Sequence, residues 1–193
     1  MLYSFCVRLL EVIFFFVFRI RKTGTENIPK EGAALLAVNH KSNFDPIIAG
    51  ITCPRKLRFM AKAELFNNKL FGGLISRLGA FPIHRGVGDI GAIKSAFKIF
   101  NEGEIMLIFP EGSRVKEGQK RRAKPGVALI AQKSCVPVIP VLIDGKYKWM
   151  GKITVRFGKP ISYEKYKGAR LTGEEIQSLS DEILESIYSL GKE

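Results

Sequence analysis

Residues 33–46 read Ala-Ala-Leu-Leu-Ala-Val-Asn-His-Lys-Ser-Asn-Phe-Asp-Pro, and they indicate the class of fold. The first six residues are all apolar, which is typical of a strand buried on both faces of a sheet. Polar residues follow at once, so His40 and Asp45 should lie where a strand ends and the chain turns. The carboxyl ends of parallel strands are where open α/β sheets bind their ligands.

A histidine and an aspartate at this spacing suit proton transfer. A neutral imidazole accepts a proton near pH 7, and a neighbouring carboxylate can fix its tautomer. Taken alone, the spacing also fits a loop histidine that bonds to Asp45 only for local order. Other motifs in the chain are needed to separate these two interpretations.

Apolar runs alternate with helix-like stretches along the rest of the chain. The predicted strands are residues 33–38, 57–61, 80–84, 104–109, 136–143 and 153–157. The predicted helices are residues 45–52, 64–78, 89–101, 125–134 and 172–190. This alternation predicts a single α/β domain whose mixed, mostly parallel sheet is flanked by helices.

The N-terminal segment is unusually apolar. Its uncharged run, residues 12–18, is far shorter than the ~20 residues that span a bilayer. At 100° per residue most polar side chains fall on one stripe and leave a very wide apolar face. We therefore expect residues 1–22 to form a helix in the membrane interface, ahead of an α/β domain in residues 23–193. The alternative is a terminal helix that packs on the core or on a second copy of the chain.

The composition is strongly basic, with 31 Lys and Arg against 18 Asp and Glu and a formal net charge of +13. Such a chain is attracted to nucleic acid, to anionic membranes or to phosphorylated ligands. The three cysteines lie far apart and the chain has only two histidines, so the sequence holds no zinc-binding pattern. We expect free thiols in a reducing cytoplasm.

Three further motifs place glycine, arginine or proline at the end of a predicted strand or within one. Residues 109–114 (FPEGSR) follow a strand and combine a glycine, which lets a ligand approach closely, with an arginine that can bind a phosphate. Residues 81–86 (FPIHRG) set Arg85 beside a glycine, where a fixed cation suits an anionic substrate. Residues 136–141 (VPVIPV) form an apolar strand whose two prolines favour an edge or ligand-facing position.

In this order the four motifs resemble those of the glycerolipid acyltransferase family. The resemblance rests on Asn39-His40-(x4)-Asp45 and on residues 81–85, 109–114 and 138–141, and it extends over residues 25–160. One departure is His84, where family members often carry an acid or another polar residue. The role of His84 is therefore open.

The resemblance implies transfer of an acyl group from a thioester to the free hydroxyl of lysophosphatidic acid, giving phosphatidic acid. His40 would be the general base, and Asp45 would orient it and stabilise the imidazolium. Because a thioester is already activated, neither a metal nor another cofactor is implied. The donor is acyl-CoA or acyl carrier protein, and another lysophospholipid or glycerol-3-phosphate is the alternative acceptor.

The resemblance also implies binding residues. Those expected to contact the substrate are Arg85, Glu111, Gly112, Ser113 and Arg114, and those expected to shape a donor or acyl pocket are Ile139 and Pro140. Arg85 would hold the phosphate with help from Arg114, while Glu111 would bind the glycerol hydroxyls or position the substrate. The expected partner is an anionic membrane surface, with the protein peripheral on the cytoplasmic face of the cell membrane.

Three other classes of protein fit parts of the sequence less well. Residues 86–91 (GVGDIG) match a dinucleotide-binding pattern, but Asp89 would put a negative charge near the pyrophosphate. A serine hydrolase would need Ser42 or Ser113, and neither lies in a G-x-S-x-G elbow. A nucleic-acid-binding protein fits the net charge, but no helix-turn-helix or RNP-type pattern accompanies it. We therefore expect no nucleic acid as a partner.

Overall fold

A computed structural model describes residues 2–83, 90–115, 119 and 122–192. The strands in this part of the chain are β1 (Phe18–Thr23), β2 (Ala34–Val38), β3 (Leu57–Lys62), β4 (Ala80–Ile83), β5 (Ile105–Ile108), β6 (Val138–Gly145) and β7 (Gly151–Phe157). The helices are α1 (Leu2–Val17), α2 (Asp45–Thr52), α3 (Lys69–Arg77), α4 (Ile90–Asn101), α5 (Gly126–Ser134) and α6 (Gly173–Ser189). A short 3-10 turn (Ala63–Phe66) precedes α3, so the helix predicted for residues 64–78 is divided in two.

The seven strands form one sheet in the order β1-β7-β6-β2-β5-β3-β4. Strands β2 to β6 run parallel to one another, whereas β7 is antiparallel to β6 and parallel to β1. The carboxyl ends of β2 to β6 therefore share one edge of the sheet, called here the carboxyl edge, with the amino ends of β1 and β7. The predicted α/β class with a mixed, mostly parallel sheet is confirmed.

Helices cover both faces of the sheet, as the uniformly apolar β2 requires. Ala34, Leu36 and Val38 point to the first face, where they pack in one cluster with residues of α1 and α2. Leu35 and Ala37 point to the second face, which is covered by α4, α5 and α6. The alternation follows from the two-residue period of a strand.

The N-terminal helix is shorter than predicted. It ends at Val17, and the next residue begins β1, which pairs with β7 over its whole length. Phe14 and Phe18 are buried in the first-face cluster, while most of the other apolar side chains of α1 point outward. The helix thus packs on the core with one side and exposes an apolar side. Among the described residues, no helix combines the length and hydrophobicity needed to cross a membrane.

Of the two prolines, Pro140 lies within β6, which is an interior strand, so the predicted edge position is excluded for this strand. The carbonyl of Pro140 accepts a hydrogen bond from the amide of Gly158 at 2.8 Å. In a strand, the amide nitrogen of a residue points to the same side as its carbonyl. The missing N–H of Pro140 therefore faces the chain beyond Phe157, where β7 has ended, and the ladder between β6 and β2 stays intact.

Helix α6 brings a C-terminal side chain to the carboxyl edge. It begins with a capping box, in which Thr172 and Glu175 satisfy each other's backbone N–H groups. Its buried side chains are Ile176, Leu179, Ser180, Ile183, Leu184 and Ile187, and its apolar members pack on the second face. This packing fixes the last turn of α6, and with it Tyr188, beside the residues that follow β5.

Candidate active site

The chain turns out of β2 at a point fixed by Asn39. The side-chain amide of Asn39 donates to the carbonyl of Ile143 at 2.9 Å, and its side-chain oxygen accepts from the amide of Ile143 at 2.7 Å. Asn39 is fully buried, so these bonds are shielded from water. A side chain thus continues the ladder between β2 and β6 by one residue, and His40 follows directly.

His40 and Asp45 lie in contact, as their spacing predicts. Nδ1 of His40 lies 2.9 Å from Oδ2 of Asp45, which also accepts the backbone N–H groups of Lys41 and Ser42 at 2.6 Å each. A carboxylate oxygen that receives these donors is an acceptor for the imidazole as well, so we assign a proton to Nδ1. Nε2 is then left with a free lone pair, which is the state that a general base requires.

The imidazole is held on one side by an aromatic ring. The rings of His40 and Phe109 stack, with centroids 4.0 Å apart and an angle of 16° between their planes. The side chain of His40 is still 15% exposed, so the ring is accessible to a ligand. Phe109 follows β5, the neighbour of β2, which explains how two distant motifs meet at the carboxyl edge.

Glu111 lies next to the backbone of His40. Its Oε1 accepts the amide of His40 at 3.4 Å and the hydroxyl of Tyr188 at 2.9 Å. The residue is only 4% exposed, and its Oε2 is buried with no hydrogen-bond partner among the described residues. Burial raises the pKa of the Glu111 carboxyl above its usual range, although the bonds from Tyr188 and His40 oppose the shift. An unpaired buried oxygen at this position can accept a hydrogen bond from a bound hydroxyl.

The residues that follow Glu111 in the 109–114 motif lie at the surface. Gly112 has a φ of +69°, in the left-handed region that glycine adopts without strain. Ser113 and Arg114 are exposed, and the amide of Val115 donates to the carbonyl of His40 at 2.9 Å. This bond ties the end of the motif to the turn after β2, so Arg114 stands beside the turn that carries His40.

One part of the predicted site lies outside the described residues, and another part is buried in the sheet. His84, Arg85 and most of the 86–91 glycine pattern lie outside the described residues. Ile139 is fully buried in the first-face cluster, and Pro140 is buried in the middle of β6. The predicted roles of Arg85 in phosphate binding and of the β6 residues in a donor pocket therefore stay predictions.

Two tyrosines that the motifs did not indicate contact the acids of the site. The hydroxyl of Tyr147, between β6 and β7, donates to Oδ1 of Asp45, and Tyr188 bonds to Glu111 as described above. Burial and then the charge of Asp45 raise the pKa of Tyr147 well above its usual value, so its hydroxyl stays a proton donor. Neither tyrosine has a local sequence signal, because each partner lies far away in the chain.

A buried glutamate and a histidine–aspartate pair lie together at the carboxyl edge of an α/β sheet, an arrangement that suits general-base chemistry. Residues 19–144 match the family model described as Acyltransferase. The match covers more than half of the chain and includes the pair and Glu111. The chain belongs to this acyltransferase family, so the resemblance of its four motifs to glycerolipid acyltransferases is confirmed.

Relatives of known name support the same assignment. The chain is 32% identical over 166 residues to the 1-acyl-sn-glycerol-3-phosphate acyltransferase of Bacillus subtilis, covering 83% of this chain and 82% of that protein. It is 33% identical over 177 residues to the enzyme of the same name from Streptococcus pneumoniae, covering 88% and 65%. The crystal structure of the 1-acyl-sn-glycerophosphate acyltransferase PlsC from Thermotoga maritima superposes with a TM-score of 0.76 over 98% of this chain and 78% of that chain. At 23% identity, that superposition shows a shared fold.

Proposed function

We propose that this enzyme transfers an acyl group from an acyl thioester to the free hydroxyl of 1-acyl-sn-glycerol-3-phosphate, forming phosphatidic acid. The observation that carries the proposal is the contact between Nδ1 of His40 and Asp45, which leaves Nε2 of an accessible imidazole free to accept a proton. The names of the relatives supply the acceptor. Either acyl-CoA or acyl carrier protein would serve as the donor.

The proposed reaction is a direct attack by the acceptor. Nε2 of His40 removes the hydroxyl proton as the oxygen bonds to the thioester carbonyl carbon. The carbon–sulfur bond then breaks, and the imidazolium returns its proton to the leaving thiolate. Asp45 stabilises the imidazolium while it exists. No metal or cofactor is needed in this scheme, because the thioester is already reactive.

The acceptor is proposed to bind through its phosphate and its glycerol oxygens. Arg114 stands exposed beside the turn of His40, and an arginine can bind a phosphate with two parallel hydrogen bonds. Arg85 would provide a second cation, while Gly112 and Ser113 would line the approach. Oε2 of Glu111 would accept a glycerol hydroxyl or hold the substrate in register.

An anionic bilayer surface on the cytoplasmic side is the proposed partner of the protein. Exposed large apolar side chains lie on α1, on or just before α3, and in loops next to the carboxyl edge: Phe5, Leu9, Val12, Ile13, Phe15, Phe16, Phe44, Leu65, Leu70, Phe71, Leu74, Trp149 and Met150. Within the described ranges, none belongs to α4, α5 or α6. Among the described residues this apolar surface lies on one side, and in a basic protein such a surface suits a membrane better than nucleic acid.

Topology places the helices that carry this apolar surface on one face of the sheet. The crossovers through α2 and α3 both progress from β2 toward β4, and parallel crossovers are right-handed. Helix α3 therefore lies on the first face of the sheet, together with α1 and α2. A protein that rests on a bilayer with this face and the carboxyl edge presents His40 to the lipid headgroups.

An acyl-transfer assay tests the proposed function. Purified protein and its His40→Ala variant are given lysophosphatidic acid and radiolabelled palmitoyl-CoA in detergent micelles, and the assay is repeated with palmitoyl-acyl carrier protein. We expect labelled phosphatidic acid from the parent with at least one donor and none from the variant.

Other outcomes of this assay separate the alternatives. Transfer only to glycerol-3-phosphate or to another lysophospholipid would replace the proposed acceptor. Absence of transfer to any of these acceptors would overturn the function. In a separate binding measurement, RNA binding without vesicle binding would overturn the proposed partner.

A further inference from the structure

We propose that Tyr147 is a positioning residue for the pair of His40 and Asp45, and that it holds the carboxylate in the orientation the base requires. Tyr147 lies outside the four motifs and beyond residue 144, where the family match ends. The inference rests on the proposed function of His40 as the base.

The hydrogen bonds of Asp45 assign this role to Tyr147. Oδ2 receives the imidazole of His40 and the backbone N–H groups of Lys41 and Ser42. Among the described residues, Oδ1 receives one donor, the hydroxyl of Tyr147. Asp45 is fully buried, so an Oδ1 deprived of this donor would be a charged oxygen without a partner, which is costly. Tyr147 thus provides the hydrogen bond to Oδ1, the carboxylate oxygen that does not contact His40.

Tyr147 is itself held in place by its surroundings. Its ring packs edge-on against Phe18 at the start of β1 and nearly parallel to Phe44, with centroids 6.0 and 6.2 Å apart. The loop that carries it is fixed to the end of α1, since the amide of Met150 donates to the carbonyl of Val17 at 2.8 Å. A hydroxyl on a fixed ring orients the carboxylate without reorganisation during the reaction.

Removing the hydroxyl should change how tightly the site holds a proton. Without a donor on Oδ1, the carboxylate is less well stabilised and attracts the proton of the imidazolium more strongly. Among the described residues, the other ionisable groups near the pair are Glu111 beside the backbone of His40, Arg114 beside the same turn, and Lys41 paired with Asp144 at 3.2 Å. These groups are present in both parent and variant, so a shift between the two proteins reports on Tyr147.

Proton NMR of the histidine ring tests the proposal without any substrate. The chain has two histidines, so a His84→Gln background leaves His40 as the single ring to titrate. In this background, Tyr147→Phe should raise the pH at which the ring takes up its proton by about one unit, since one charge-assisted hydrogen bond is comparable in free energy to one pKa unit. The matched control is Tyr166→Phe, which removes a hydroxyl from a ring that stacks on Tyr163. The control should leave the titration unchanged.

A second background separates positioning from a loss of packing. In an Asp45→Asn protein no carboxylate remains, so Tyr147→Phe should no longer move the titration of His40. A shift of the same size in both backgrounds, or no shift in either, would overturn the proposal. Because the readout needs no acyl acceptor, it stands even if the proposed function fails.

Kinetics supply a further readout where the transfer activity is present. Tyr147→Phe should lower kcat about tenfold and leave KM for the lysolipid within about two-fold, because Tyr147 acts on the base and not on the bound phosphate. The acid limb of the pH–rate profile should move to higher pH. A change confined to KM would contradict a positioning role.

Discussion

Asn39 and Ile143 exchange two hydrogen bonds through the side-chain amide of Asn39, in the manner of two paired strand residues. These bonds lock the end of β2 to β6 one residue before His40. The direction in which His40 leaves the sheet therefore depends on a side chain and not only on the backbone ladder.

Substitution of Asn39 by alanine should destabilise the protein. The amide and carbonyl of Ile143 would lose their partners in a buried place, which costs ~1–3 kcal/mol. For a chain of this size, at about 2–4 °C per kcal/mol, we expect the melting temperature to fall by about 2–12 °C in calorimetry. The matched control is Asn27→Ala, which removes a single, partly buried bond to Phe157. Equal decreases for the two variants would contradict the special role of Asn39.

Substitution of Asp45 by asparagine should separate catalysis from folding. The amide oxygen can still accept the backbone N–H groups of Lys41 and Ser42, but the variant has no charge to stabilise the imidazolium. We expect kcat to fall about 10²–10⁴-fold, the range of a general-base contribution, with circular dichroism unchanged. Activity within a few-fold of the parent would exclude the proposed role of the carboxylate.

Replacement of Glu111 by glutamine should make stability less dependent on pH. Burial raises the pKa of Glu111, so over an interval of pH the folded protein holds a proton that the unfolded chain has released. Raising the pH through that interval therefore lowers the stability of the parent. The variant has no carboxyl group at this position and does not lose stability in this way. The melting temperature of the variant relative to the parent should therefore increase as the pH rises above about 4.3, the usual pKa of a glutamate.

The same Glu111→Gln variant should also be a weaker enzyme. We expect its activity to decrease about tenfold, because an acceptor for a substrate hydroxyl is replaced by a donor. A constant difference in melting temperature across this pH range would indicate that the raised pKa does not contribute to stability.

The outward face of α1 can be tested apart from its buried face. Phe15 and Phe16 are 75% and 62% exposed, whereas Phe14 is only 6% exposed. The double change Phe15→Ser and Phe16→Ser should lower binding to phosphatidylglycerol vesicles by at least about tenfold, since burying a phenylalanine contributes ~1.5–3 kcal/mol. Its melting temperature should stay near that of the parent.

The matched control for this prediction is Phe14→Ser, which should lower the melting temperature because it removes a core side chain. Both variants are measured by vesicle sedimentation and by calorimetry. Unchanged vesicle binding of the double variant would count against α1 as the membrane-binding element.

Much of the fold could be predicted from the sequence because its central strands are continuously apolar. Six of the seven described strands were predicted, and α2 has the predicted bounds. Strand β1 was missed because Phe18 is its one fully buried residue and its remaining positions are largely charged or polar. Such an edge strand is stabilised by pairing with β7, which periodicity does not reveal.

The candidate site was predictable only where its residues are close in sequence. His40 and Asp45 are five positions apart, and Glu111 follows a recognisable strand. Tyr147 and Asp45, in contrast, are separated by 102 positions, and Tyr188 and Glu111 by 77. Such contacts depend on the packing of α6 and on the turn between β6 and β7, and no local pattern encodes them.

The direct junction of α1 with β1 has a consequence for substrate choice. Val17 ends the helix and Phe18 begins the strand, with no loop between them. The carbonyl of Val17 also accepts a hydrogen bond from the amide of Met150, so the end of the helix is fixed to the sheet and to the loop before β7. If α1 lies in the outer part of a lipid leaflet, His40 stands at a constant depth below or above the headgroups. The enzyme then selects lysolipids by the depth of their free hydroxyl in the leaflet. A lysolipid whose hydroxyl lies at another depth cannot contact His40, even when its phosphate binds well.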